Sequence, residues 1–430
     1  MVDTVELNKL LDEYDSARIK TWLNICSRCG LCAEGCFYFL SHNRDPKLSP
    51  AYKVKKTLGE MYRKRVKADD RFFKECYEIL WFQCTLCKRC SLYCPFGIDI
   101  ASMMSIARNI CMSQGVSPER LIEFTENSRK SGNHMGLPSE ELIEVCEWMV
   151  EETEDEYRGV TIPIDKQGAK YMYTINPREV VFYPQDIGNA AVIFSIAEEN
   201  WTIPSFGWDC TNLPMFAGDR AMAAKSVDNV YKKAQELDAE KILITECGHA
   251  YRSLAFEGPY MTGQSDGKPP VDVIHYVQLI DEYLKEGRLK IDPEKIIKEP
   301  ITYQDPCNVS RNGGLWEEAR NIINYLAEDF RDMTPNRDHN HCCGGGGGIM
   351  PMGPDFKPGR MKAGRIKAEQ IRETGAKIVI APCHNCFDQI QDLGEKYELD
   401  IKVFSFKELL LETMIIPEKF KPDGKANEKD

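Results

Sequence analysis

The chain has no long apolar run. Nothing in its 430 residues approaches the roughly 18 consecutive apolar positions that a membrane span needs, so any hold on a membrane is expected to run through another subunit. It has no Gly-x-Gly-x-x-Gly behind a strand, so a flavin or nicotinamide is expected on another chain. It opens on MVDTVELNKLLDEYD, charged from the start and unlike a secretory leader, which points to the cytoplasm. It is short of positive charge, with 55 Lys+Arg against 67 Asp+Glu and a net charge of −12. The shortage is uneven: residues 1–120 hold 19 basic and 14 acidic residues (+5), leaving 36 against 53 (−17) for the rest. The acidic body argues against a nucleic-acid partner, while the basic first part suits anionic lipid head groups or an acidic protein.

Cysteine, by contrast, is abundant, at 18 residues. In a reducing compartment these read as metal ligands rather than disulfides. Cys26, Cys29, Cys32 and Cys36 form a C-x2-C-x2-C-x3-C run, and Cys84, Cys87, Cys90 and Cys94 repeat it. In this bacterial ferredoxin spacing the fourth cysteine of each run ligates the other cluster. One [4Fe-4S] cubane is therefore expected on Cys26, Cys29, Cys32 and Cys94, and a second on Cys84, Cys87, Cys90 and Cys36. Pro95 follows the second run; Phe37 stands where the first run would carry its proline. Cys76, Cys111 and Cys146 fall outside both runs and read as buried free thiols.

A third group lies near the other end: Cys307 in DPCNVSR, the adjacent Cys342 and Cys343 in HCCGGGGG, and Cys383 and Cys386 in APCHNC. A closed zinc site or a cubane takes four ligands, and five with an adjacent pair fit neither cleanly. Adjacent cysteines can clamp two neighbouring irons of a multi-iron unit, and the glycine run lets the backbone approach closely and aim N–H groups at sulfur. The alternative is a zinc site or reduced structural thiols.

The first 118 residues are expected to be a helical domain, with one helix over residues 4–24 delivering the first run. Residues 119–175 read as a helical linker, broken at GNHMGLP, with nine acidic residues and no Lys or Arg between 140 and 156. From residue 176 short apolar strands alternate with helices, which indicates α/β layers with buried parallel strands. Two similar halves are expected, 176–292 and 293–415, then a disordered tail, 416–430. EVVFYP and KILITEC are expected strands of the first half, PITYQDPC and AKIVIAPC of the second, with a helix over EEARNIINYLAEDF. In the first half Asp186 and Asp209 are placed where cysteines would be, Cys210 and Cys247 remain, and Ala250 replaces the last cysteine. Two thiols of five cannot hold the same group, so this half reads as a degenerate repeat.

Two ferredoxin runs followed by C…CCG…C-x-x-C resemble the D-type iron–sulfur subunit of the heterodisulfide reductase family, in its DsrK- and TmcB-like branch. The resemblance covers nearly the whole chain. It implies two cubanes and a non-cubane [4Fe-4S] cluster on Cys307, Cys342, Cys343, Cys383 and Cys386 that cleaves disulfides. It further implies a membrane cytochrome b-type, quinone-reactive (DsrM-like) subunit that supplies electrons. The implied substrate is the trisulfide of a DsrC-like small protein, or another disulfide, in dissimilatory sulfur metabolism. His341 and His384 flank the ligands and are candidates to protonate the leaving thiolate, or are packing residues; His249 is a weaker one. Nine basic residues between 53 and 74 form the expected docking face. Three rivals share this plan: a reductase of the coenzyme M–coenzyme B heterodisulfide, the iron–sulfur subunit of a glycolate- or lactate-oxidase complex, and a pure electron-transfer module.

Overall fold

A computed structural model of the chain describes residues 2–422. The opening segment is two helices, not one: Thr4–Glu13 and Ala17–Ile25. The break follows from capping. The Ser16 side chain accepts the Ile19 N–H, and that competes with continuing the first helix through Tyr14–Asp15. Leu7, Leu11 and Ile19 still bury one face. Helices Pro50–Val54, Asp70–Phe82 and Ile100–Ser113 complete the helical part that carries both ferredoxin runs. Helices Glu119–Ser131 and Ser139–Glu154 lead on to the sheets.

Two parallel sheets follow. The first comprises β1 (Tyr171–Thr174), β2 (Trp201–Thr202), β3 (Lys241–Ile244) and β4 (Asp272–His275), in the order β2-β1-β3-β4. The second comprises β5 (Ile301–Tyr303), β6 (Ile378–Ile380) and β7 (Lys402–Phe404), in the order β5-β6-β7. A parallel bridge from Ile301 to Phe330 occupies the place beside β5 that β2 holds beside β1. The halves are thus the same fold twice, and Tyr173, Phe194 and Tyr276 share one core with Tyr303, Ile380 and Phe406.

EVVFYP is not a strand. Asn176 caps a helix Pro177–Phe182, with Pro177 in its first turn and Glu179 closing a capping box. That local chemistry overrides the strand preference of its valines and aromatics. The strand lies one motif earlier, at YMYT. This shifts the register of the repeat. Cys307 stands four residues beyond β5, and four residues beyond β1 stands Arg178, not Asp186. Asn176-Pro177-Arg178 is therefore the counterpart of Asp305-Pro306-Cys307. The tail expectation also changes in part. Phe420 is buried against the shared core and its carbonyl accepts the Arg158 N–H, whereas residues 423–430 lie outside the described residues.

Candidate metal centres

The two ferredoxin runs fold alike. In each, the second residue after the first cysteine and the first residue after the second cysteine are left-handed: Arg28 and Gly30 in one, Leu86 and Lys88 in the other. Each run then enters a short helix, Leu31–Glu34 and Arg89–Leu92. Three of these four positions carry side chains, at a strain of about 1–3 kcal/mol each, and such strain collects at functional sites. The turns wrap each set of thiols inward.

The side chains gather as two crossed sets. The Cys32 thiol is pushed up to about 11 by burial, with the neighbouring Cys26, Cys94 and Cys29 acting in the same direction. The Cys90 thiol is raised by burial and then by Cys87, Cys36 and Cys84. Cys36, Cys84, Cys87 and Cys90 line one cavity. Lys53 lines it too. Its ammonium donates to the Gln83 carbonyl at 2.5 Å and lies 3.8 Å from Cys36 Sγ. Lys53 is 2% exposed, so it is not part of any basic docking face. Arg108, fully buried, donates to the carbonyls of Leu80, Cys84, Phe216 and Gly347. Neither cation has a carboxylate partner among the described residues. Buried cations need compensating negative charge, and an iron–sulfur cluster with its thiolates supplies it. The site fits such a group.

The five later cysteines form one contiguous string. Cys342 touches Cys307 and Cys343. Cys343 Sγ lies 3.2 Å from Cys386 Sγ, and Cys386 touches Cys383. Cys383 is the N-cap of helix His384–Tyr397, so one turn later Cys386 faces the same way. The chain N–H groups of Gly344 and Gly345 aim at Cys342 and Cys343 Sγ at 3.4 and 3.5 Å. The Gln304 amide lies 3.9 Å from Cys386 Sγ. Asp305 fixes the Asp-Pro-Cys turn by accepting both Arg320 nitrogens at 2.7 and 2.8 Å. The Lys367 ammonium is fully buried nearby, lowered to about 8 by burial against the pull of Asp305 and the cysteines. Thiols packed this closely, with N–H donors and a cation around them, fit a multi-iron group. Of the five, only Cys307 is not buried.

The third group abuts the second. Cys87 packs in one cluster with Cys342, and the Thr85 hydroxyl lies 3.4 Å from Cys342 Sγ. Phe37, in the place of the missing proline, packs with Tyr38 against Cys342, Cys36 and Cys87. In the first half Cys210 and Cys247 touch, both fully buried. Asp209, beside Cys210, accepts the His134 N–H and faces His134 Nδ1, each at 2.9 Å.

The histidines separate. Burial opposes charging of His384, but Glu179 and Asp186 outweigh it and raise the ring to about 9. Its Nε2 lies 2.8 Å from the Asp186 carboxylate. Asp186, out of register with Cys307, belongs to this buried network with Lys407 and Glu179. His341 is lowered to about 2 and His249 to about 3, both mainly by burial. Lys53, Thr85 and Lys367 escape a sequence reading. Arg108 leaves a trace as the sole charge in the apolar helix IASMMSIARNICMS.

Residues 22–98 match the family described as 4Fe-4S dicluster domain, and residues 301–391 match the cysteine-rich domain, CCG. Over 94% of the chain and 80% of the relative, it is 26% identical to the Hdr-like menaquinol oxidoreductase iron–sulfur subunit 2 of Archaeoglobus fulgidus. Over 91% of the chain and 94% of the relative, it is 23% identical to the D subunit of the dihydromethanophenazine:CoB–CoM heterodisulfide reductase of Methanosarcina barkeri. It is 24% identical over 91% of its length to 58% of the EtfAB:quinone oxidoreductase of Syntrophomonas wolfei. In motif order and extent the chain is similar to the Hdr-like and heterodisulfide reductase D-type iron–sulfur subunits, with a 4Fe-4S dicluster domain followed by a CCG domain.

Proposed function

We propose that this chain is the iron–sulfur subunit of a membrane-associated redox complex, carrying electrons from a quinol or cytochrome b-type partner to a site that reductively cleaves a disulfide or trisulfide. The observation that carries the reading is the contact between Cys87 and Cys342, which joins the second ferredoxin set to the five-cysteine string. In this reading Cys26, Cys29, Cys32 and Cys94 hold one cubane, and Cys84, Cys87, Cys90 and Cys36 the other. Cys307, Cys342, Cys343, Cys383 and Cys386 hold a non-cubane cluster. Such a cluster supplies one-electron steps and iron to which a substrate sulfur can bind.

Electrons enter at the first set. Cys29 is exposed there, and Ile25, Leu31, Leu92 and Phe96, each within two residues of a cysteine of that set, are at least 42% exposed. Substrate approaches from the Cys307 side. His384, oriented by Asp186 through Nε2, keeps its buried Nδ1 without a partner among the described residues and is the proton source for the departing thiolate. His341 has a buried Nδ1 without a partner among the described residues too, but no carboxylate among them holds its ring. No helix among the described residues is long and apolar enough to cross a membrane, so membrane attachment falls to the partner. The DsrC-like trisulfide is the finer substrate proposal, and the small heterodisulfide its rival.

The test is electron paramagnetic resonance on protein purified anaerobically, with and without substrate thiol. A substrate-dependent signal should appear in the wild type and in Cys210→Ala and be lost in Cys342→Ala, with the cubane signals kept. A signal that survives Cys342→Ala and disappears with Cys210→Ala would place the chemistry in the first half. The likeness to a protein named as a quinone oxidoreductase favours a second reading, electron transfer without a sulfur substrate. No substrate-dependent signal in any variant would point there.

A further inference from the structure

The glycine run after Cys343 is held from outside its own half, at one residue. The Gly347 N–H donates to His249 Nε2 at 3.1 Å, and the Gly347 carbonyl accepts Arg108 at 2.8 Å. His249 belongs to the degenerate half, and Arg108 to the ferredoxin part. Gly347 is left-handed, with φ of 69°, and a Cβ there would stand 2.5 Å from the Thr85 carbonyl oxygen. Only glycine fits where the three parts meet.

The other edge of the His249 ring reaches the second cysteine motif. Nδ1 lies 3.3 Å from the side-chain amide of Asn385, which stands between Cys383 and Cys386. Asn385 Nδ2 is the amide atom that faces Nδ1; with Nε2 accepting and the ring neutral, Nδ1 carries the hydrogen, and the half-turn of the amide that exchanges its nitrogen and oxygen lets Oδ1 accept it. Phe216 packs on the ring at 4.2 Å between centroids, and the residue is 3% exposed. One imidazole thus ties Gly347, in the loop that begins at Cys342 and Cys343, to Asn385, in the loop of Cys383 and Cys386. Its own motif, ECGHAYR, has lost the last cysteine, Ala250 standing in its place.

We propose that His249 is a positioning residue: it fixes the spacing of the two cysteine loops and the orientation of the Gly347 peptide. The degenerate half has exchanged ligation for support of its partner's site. A glutamine can offer an acceptor at the position of Nε2; a phenylalanine fills the same volume and offers none. This rests on the reading of the five cysteines as cluster ligands, so one readout is chosen to be independent of it.

The experiment compares wild type, His249→Gln and His249→Phe by hydrogen exchange over the peptide spanning residues 341–350, with and without bound iron. Redox-poised paramagnetic resonance on the anaerobic protein completes it. His249→Phe should lose exchange protection in the glycine run and shift the midpoint potential and line shape of the third-cluster signal, with the cubane signals unmoved. His249→Gln should restore the wild-type protection and signal. Wild-type exchange and an unshifted signal in His249→Phe overturn the proposal, and so does failure of His249→Gln to restore either where His249→Phe loses them. Should the wild type hold no third cluster, the ligand reading fails and the exchange data on the iron-free protein still decide the role of His249.

Discussion

Lys53 shows how far a single residue can depart from its sequence neighbourhood. It opens a run of basic residues that reads as surface, yet its ammonium is buried 3.8 Å from Cys36 Sγ and 5.1 Å from the centre of the Tyr38 ring. Reduction adds a negative charge to a cluster held by Cys36. At about 4 Å and an effective dielectric near 20, a neighbouring cation is worth up to about 4 kcal/mol. Lys53→Met should therefore lower the midpoint potential of one cubane alone by about 59 mV or more, a tenfold change for one electron. Lys53→Arg should recover most of it. A redox titration that finds both cubanes at their wild-type potentials in Lys53→Met would remove this role. The cysteines were legible because ligand spacing is local. The roles of Arg108 and His249 were not, because the partners that give them meaning come from distant segments: Arg108 and Gly347 are 239 residues apart, His249 and Gly347 98.

Elements were legible where periodicity was unopposed and lost where capping decided. β5 and β6 and the helix Glu317–Leu326 sit within the segments read for them. The opening helix breaks at Ser16, and EVVFYP becomes helical behind Asn176-Pro177, because short polar side chains and proline fix a terminus more firmly than apolar pattern resists it. The basic segment 53–74 changes as an element too. With Lys53 buried, Arg63 ion-paired to Glu60 and Arg65 to Asp12, fewer free charges remain on its surface. Reversing Lys55, Lys56, Arg63 and Lys64 to glutamate together should weaken membrane co-purification and reduce its salt sensitivity. Exposed pairs contribute about 0.2–1 kcal/mol each, so single reversals should change little. Wild-type retention of the quadruple variant on membranes would leave docking to the apolar rim of the first cysteine set.

At the scale of the molecule, three cysteine sets lie in sequence: one at the surface, one lining a half-buried cavity, and one abutting it in the second α/β half. The two-half plan was legible from the cysteine motifs, and the exact repeat became visible only through matching strand order. That match also moved Asp186 out of the ligand position and put Arg178 there. The central claim is that the second half alone completes a third iron–sulfur site. Iron determination on anaerobically purified protein tests it most directly. The account predicts about twelve irons per chain for the wild type and for Cys210→Ala, and about eight for Cys342→Ala, as two cubanes remain. About eight irons in the wild type, or a loss of four with Cys210→Ala and none with Cys342→Ala, would contradict it.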